Sequence, residues 1–159
     1  MGIDKKKLLD ELKISFEDLK KEKGFNSSYE ELEKSLTLED YVLSQGYVST
    51  NLLDELVNKL SERFYSWVGV LHSLIMPPPS DLIYSSESKK LNKNDKEEIF
   101  NLIKGVMYLT RKTKRLLFER NSEELGLHLD ELVDFDRTDF SPLMAKYHRK
   151  LEEAWKQKS

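Results

Sequence analysis

The sequence predicts an all-α fold, a helical bundle built on two long helices at about 50–76 and 95–120, with shorter helices toward the N- and C-terminal ends. Three observations carry this. Apolar residues recur in steps of three and four through both stretches, which places them on one helix face. Helix-start pairs and helix-stopping glycines or prolines punctuate the chain between them. No segment alternates apolar and polar residues as a half-buried strand would, and no internal repeat of useful length is present.

From Asp4 to about Glu22, the residues Leu8, Leu9, Leu12, Phe16 and Leu19 form an amphipathic stripe, and Gly24 stands where the helix should stop. Ser28 with Glu31 has capping-box spacing and predicts a short helix through Leu36. Thr37 with Asp40 predicts another, ending at Gly46. Ser49 or Thr50 then caps the first long helix, along which Leu53, Val57, Leu60, Phe64, Trp67, Leu71 and Leu74 repeat. Leu56, Val68 and Ile75 widen this stripe, which suits either burial on two sides of a bundle or a dimer face. Pro77, Pro78 and Pro79 end it, because proline lacks an N–H and restricts the residue before it.

Residues 77–94 read as a long Pro/Ser-rich connection. A linker of this length joins the long helices parallel or antiparallel equally well. Asn92 or Asn94 caps the second long helix, whose inward residues run from Ile99 to Leu117. A short helix over Ser122–Val133, an acidic loop, and a last helix opened by Ser141 with Pro142 complete the pattern.

One domain over residues 1–159 suits the length. The chain has no cysteine, which excludes disulfides, thiolate metal sites and cysteine nucleophiles and fits a cytoplasmic protein. The longest apolar stretch, Phe64 to Met76, is too short and too often interrupted to span a bilayer, and Lys5–Lys7 replace the apolar core of a signal peptide. No membrane association is expected. Net charge is −3, but its distribution is uneven: −4 over residues 1–76, +4 over 77–122 and −3 over 123–159. The middle of the chain is where an anionic partner belongs.

That middle holds the first candidate site. Arg111 and Arg115 each fall within about 20° of Lys104 on a helical wheel, with Tyr108 beside them and Lys114 close by. Such a stripe grips phosphates or an acidic protein surface, unless it is only a solvated face on which Arg115 pairs with Glu119. The second candidate is Leu82, Ile83 and Tyr84, an apolar interruption of the polar linker that either tucks onto the bundle or docks a partner. Thr37–Leu53 has the spacing of a helix-turn-helix. However, Gln45 stands where an apolar residue belongs, and Asp54 and Glu55 open the second helix toward phosphates they would repel, so ordinary packing is expected.

Metal and catalytic readings find no support. Asp130, Glu131, Asp134, Asp136 and Asp139 lack the glycine and terminal glutamate of a calcium loop and are expected as a solvated acidic loop. Glu124 and His128 sit at i,i+4 and can pair, but one pair is too few ligands for zinc. No nucleophile elbow or phosphate-cradling glycine loop is visible, so no catalytic residue, metal or cofactor is predicted. The expected function is a non-enzymatic helical module that binds another protein or itself, as an adaptor or complex subunit. The alternative is a nucleic-acid-associated accessory protein using the basic stripe.

Overall fold

A computed structural model describes residues 4–157, and every regular element among them is helical. In chain order these are α1 (Lys5–Lys23), α2 (Tyr29–Leu36), α3 (Leu38–Gln45), α4 (Leu52–Tyr65), α5 (Val68–Ile75), α6 (Leu82–Lys89), α7 (Lys93–Glu119), α8 (Ser122–Phe135), a π-helical turn (Asp136–Phe140) and α9 (Ser141–Lys156). The fold is all-α, as the periodicity predicts.

Several boundaries follow local chemistry read correctly from the sequence. α1 stops at Gly24, whose φ of 71° is strained for any residue with a side chain. Ser28 and Glu31 form the reciprocal capping box of α2, and Asn92 with Asp95 forms that of α7. Thr37 departs from expectation. It adopts φ 47°, and its hydroxyl donates to the Leu36 carbonyl rather than capping α3, so Glu33 takes the Glu39 N–H instead at 2.8 Å. Ser49 also falls short of a cap, since its hydroxyl accepts from Asn51 N at 3.0 Å, before α4 begins.

The first long helix is in fact two. In an unbroken helix Trp67 N–H would bond to the Arg63 carbonyl, but the Ser66 hydroxyl takes that carbonyl at 2.8 Å and Trp67 N–H turns to Phe64 at 3.1 Å. α4 and α5 are therefore offset at Ser66–Trp67.

The opposite correction applies at the C-terminal end. The expected acidic loop is helical, and helical backbone runs unbroken through 35 residues from Ser122 to Lys156. Thr138 donates its hydroxyl to the Asp134 carbonyl at 2.8 Å, displacing the ladder, and Ser141 N–H reaches back five residues to Asp136. Pro142 then needs no partner for an N–H it lacks. Ser141 lies inside the helix and caps nothing. The connection at 77–94 is also partly helical, because Asp81 accepts from Tyr84 N at 3.0 Å and opens α6.

α4 is the central helix. Its buried residues Leu52, Leu53, Leu56, Val57, Leu60, Ser61 and Phe64 pack against α7 on one side and α8 on the other. The α4 part of the wide stripe is thus covered within one chain, while Trp67, Val68 and Ile75 stay partly exposed. Asn58 accepts from Lys114 at 3.3 Å, so the start of α4 lies by the end of α7 and the two run antiparallel. α1 joins the same core through Leu8, Leu12 and Phe16. It approaches α8 closely at Gly126, where a Cβ would lie 3.0 Å from the Lys23 carbonyl oxygen. No described helix is long and apolar enough to cross a membrane.

Candidate interaction surface

α7 buries Ile99, Leu102, Ile103, Val106, Leu109 and Leu116, which leaves the opposite face to solvent. On that face the wheel angles of Phe100, Lys104, Tyr108, Arg111, Arg115 and Phe118 span about 80° over a length of about 27 Å. The aromatic members are conspicuously exposed: Phe100 49%, Tyr108 61% and Phe118 87%. Aromatic and basic side chains therefore alternate along one ridge.

The cations differ in what already engages them. Lys104 sits over the Phe100 ring at 4.8 Å. Arg115 bonds Glu119 at 2.8 Å, as the i,i+4 spacing predicts, and Glu124 lies 3.8 Å away. Lys114 turns aside to Asn58. Arg111 has no carboxylate partner among the described residues, and with Tyr108 and Arg115 it lines a shallow depression of about 390 Å³. A second groove of about 490 Å³, between α4 and the end of α7, is walled by Asp54, Glu55, Lys114 and Phe118. The structure thus brings Lys104, Tyr108, Arg111 and Arg115 together and sets Lys114 at the edge. Sequence inspection missed Phe100 and Phe118, although the same helical wheel that selected the cations places both in phase with them.

The linker triplet divides. Leu82 and Ile83 are 80% and 64% exposed, whereas Tyr84 turns onto α5 and α9.

The acidic residues serve separate structural purposes. Asp130 accepts the Asn26 and Ser27 N–H groups and the Ser27 hydroxyl, pinning the α1–α2 turn to α8. Asp136 is buried at the π turn and accepts from the hydroxyls of Ser35 at 2.7 Å and Ser141 at 2.5 Å, with Arg63 at 3.4 Å. Asp134 pairs with Arg137, and Asp139 accepts from Thr138. No group of three or more His, Asp or Glu among the described residues is arranged to hold a metal.

His128 does not pair with Glu124. It is buried, with Nδ1 2.9 Å from Glu131 and Nε2 2.7 Å from the Thr113 hydroxyl, while Lys112 completes the group at 2.9 Å from Glu131. Nδ1–H donates to the carboxylate, whereas the Thr113 hydroxyl beside Nε2 also lies 2.8 Å from the Leu109 carbonyl and has one proton for the two acceptors. Burial lowers the His128 pKa from its ordinary 6.5, and the Glu131 carboxylate only partly opposes that. Burial also pushes Glu131 upward, but hydrogen bonds from Lys112 and His128 outweigh it and leave a net lowering. A depressed histidine pKa means that the unfolded chain takes up the proton first, so stability falls as pH drops through 6.5. The thermal midpoint should decline between about pH 7 and pH 5, and His128→Asn should flatten that decline. An unchanged slope in the variant would assign the acid sensitivity elsewhere.

No family model, curated protein or solved structure matches the chain.

Proposed function

We propose that the protein is a non-enzymatic interaction module whose working surface is the outer face of α7 and whose partner is an acidic protein segment. One observation carries this: three exposed aromatic side chains stand in register with basic ones on a single rigid helix. Tyr, Phe and Arg are enriched at the energetic centres of protein interfaces, where rigid rings supply area at low entropic cost. Charge complementarity chooses the partner. Pairing two copies of α7 about a two-fold axis would set basic residue against basic residue, which argues against self-association through this face.

Nucleic acid fits less well. Arg115 is already answered by Glu119 and Glu124 and Lys112 by Glu131, leaving few cations to neutralise phosphates.

The test compares capture from native lysate by the wild type and by a Tyr108→Ala/Arg111→Glu/Phe118→Ser variant. These exposed substitutions should each change stability by no more than about 0.5 kcal/mol. A partner held by the wild type, released by salt, lost by the variant and protecting α7 from hydrogen exchange is the expected result. An identical captured set for both proteins refutes the reading. Salt-dependent binding of a short RNA or DNA that disappears in Arg111→Glu/Arg115→Glu would replace it with the nucleic-acid one.

A further inference from the structure

Away from α7, the helices α5, α6 and α9 line a half-open cavity of about 330 Å³, within the range of small-molecule sites. Its apolar wall comes from Leu71 and Leu74 on α5 and from Met144 and Leu151 on α9. Three aromatic residues converge on it: Tyr84 from α6, and Tyr147 and Trp155 from α9. Tyr147 is buried at 3% exposure, whereas Trp155 is 57% exposed at the mouth. The Trp155 indole is held in place, since Nε1–H donates to Glu87 Oε2 at 2.9 Å. The charged lining consists of two carboxylates, Glu87 and Glu152, while Lys146 stays outside it with its Nζ 5.3 Å from the Tyr147 ring centroid; His148 also contributes, its ring packed against Trp67 at 5.4 Å.

Each feature selects the same ligand. Apolar walls exclude strongly hydrated ions, carboxylates reject anions, and aromatic faces attract cations whose charge is spread over methyl groups. We infer that this cavity binds a methylated ammonium head group carried on a small apolar body, with Tyr84 and Trp155 as the ring faces, the buried Tyr147 as part of the floor, and Glu87 and Glu152 as the charge partners. This also gives the 77–94 connection a role: α6 supplies one wall, so Tyr84 faces ligand while Leu82 and Ile83 point away. The inference is independent of the α7 surface.

The probe is choline, compared with its uncharged carbon isostere 3,3-dimethylbutan-1-ol, followed by ligand-observed NMR on the full chain. Choline should bind saturably and the isostere at least about tenfold more weakly, because only the cation gains from the rings and carboxylates. Trp155→Ala should weaken choline by about tenfold and Trp155→Phe by less, since a ring face remains. Glu152→Gln, at an exposed position, gives a second reading that leaves the core untouched and should weaken choline without affecting the isostere. The inference is overturned if choline shows no saturable binding, if the isostere binds as tightly, or if Glu152→Gln and a folded Trp155→Ala leave choline binding unchanged. The α7 variant used above should bind choline normally, which keeps the two proposals separable.

Discussion

Phe64→Ala is expected to lower the unfolding free energy by about 3–5 kcal/mol, the largest effect of any single truncation considered for this protein. Phe64 is 1% exposed at the end of α4, with its ring centroid 5.1 Å from Phe135 and 4.8 Å from Phe140. These three rings join the central helix to both flanks of the π turn. Gly105 on α7 accommodates the group, as a Cβ there would lie 3.0 Å from the Phe135 ring. Removing the Phe64 ring forfeits its transfer free energy and leaves a cavity that two helices held by other contacts cannot close. Urea denaturation should show a lowered midpoint with an unchanged slope. Phe118→Ala provides the contrast: with that ring 87% exposed, the change should be within about 0.5 kcal/mol. Similar losses for both variants would contradict the packing described here.

Asp136→Ala should cost about 3 kcal/mol, by a different mechanism. The Asp136 side chain is 6% exposed and satisfies two hydroxyls from separate helices as well as Arg63. Its loss leaves the half-buried hydroxyls of Ser35 and Ser141 without their acceptor. The Arg63 guanidinium, 35% exposed, regains some water, which keeps the cost below that of a fully buried pair. Asp136→Asn retains an acceptor oxygen of the same reach and should lose roughly 1 kcal/mol. The ordering of alanine below asparagine below wild type, read from denaturation midpoints, is the diagnostic. Equal loss in both variants would mean that the charge, rather than hydrogen-bond acceptance, is what matters at the π turn.

The π turn also shows where reading along the chain stops being informative. Asp134, Asp136, Thr138, Asp139, Ser141 and Pro142 each favour a loop or a helix start by local chemistry, and together they predict a break. Local preferences of this kind are worth about 1 kcal/mol each. Burial of Phe135 and Phe140 against Phe64, and of Asp136 against Ser35, outweighs them, and the π register lets the helix absorb Thr138 and Pro142 without ending. The reverse held at Ser66, where a strong apolar period predicts continuity but one hydroxyl diverts one carbonyl. The α7 ridge was half legible, because its cations stand out by charge while Phe100 and Phe118 resemble core residues until burial is known. The cavity was not legible at all, since its aromatic residues are far apart in sequence and no periodicity links Tyr84 to Trp155.

By itself the sequence determined the helical class, the ends of α1 and α2, the exclusion of disulfide chemistry and the basic face of α7. These depend on residues within one or two turns of each other, where backbone geometry makes spacing equivalent to position. Only the tertiary structure decided the antiparallel course of α4 and α7, the unbroken helix from Ser122 to Lys156, the partners of His128 and Asp136, and the convergence of Tyr84, Tyr147 and Trp155 on one cavity. Those depend on which helix faces meet, and that is set by packing the whole core at once.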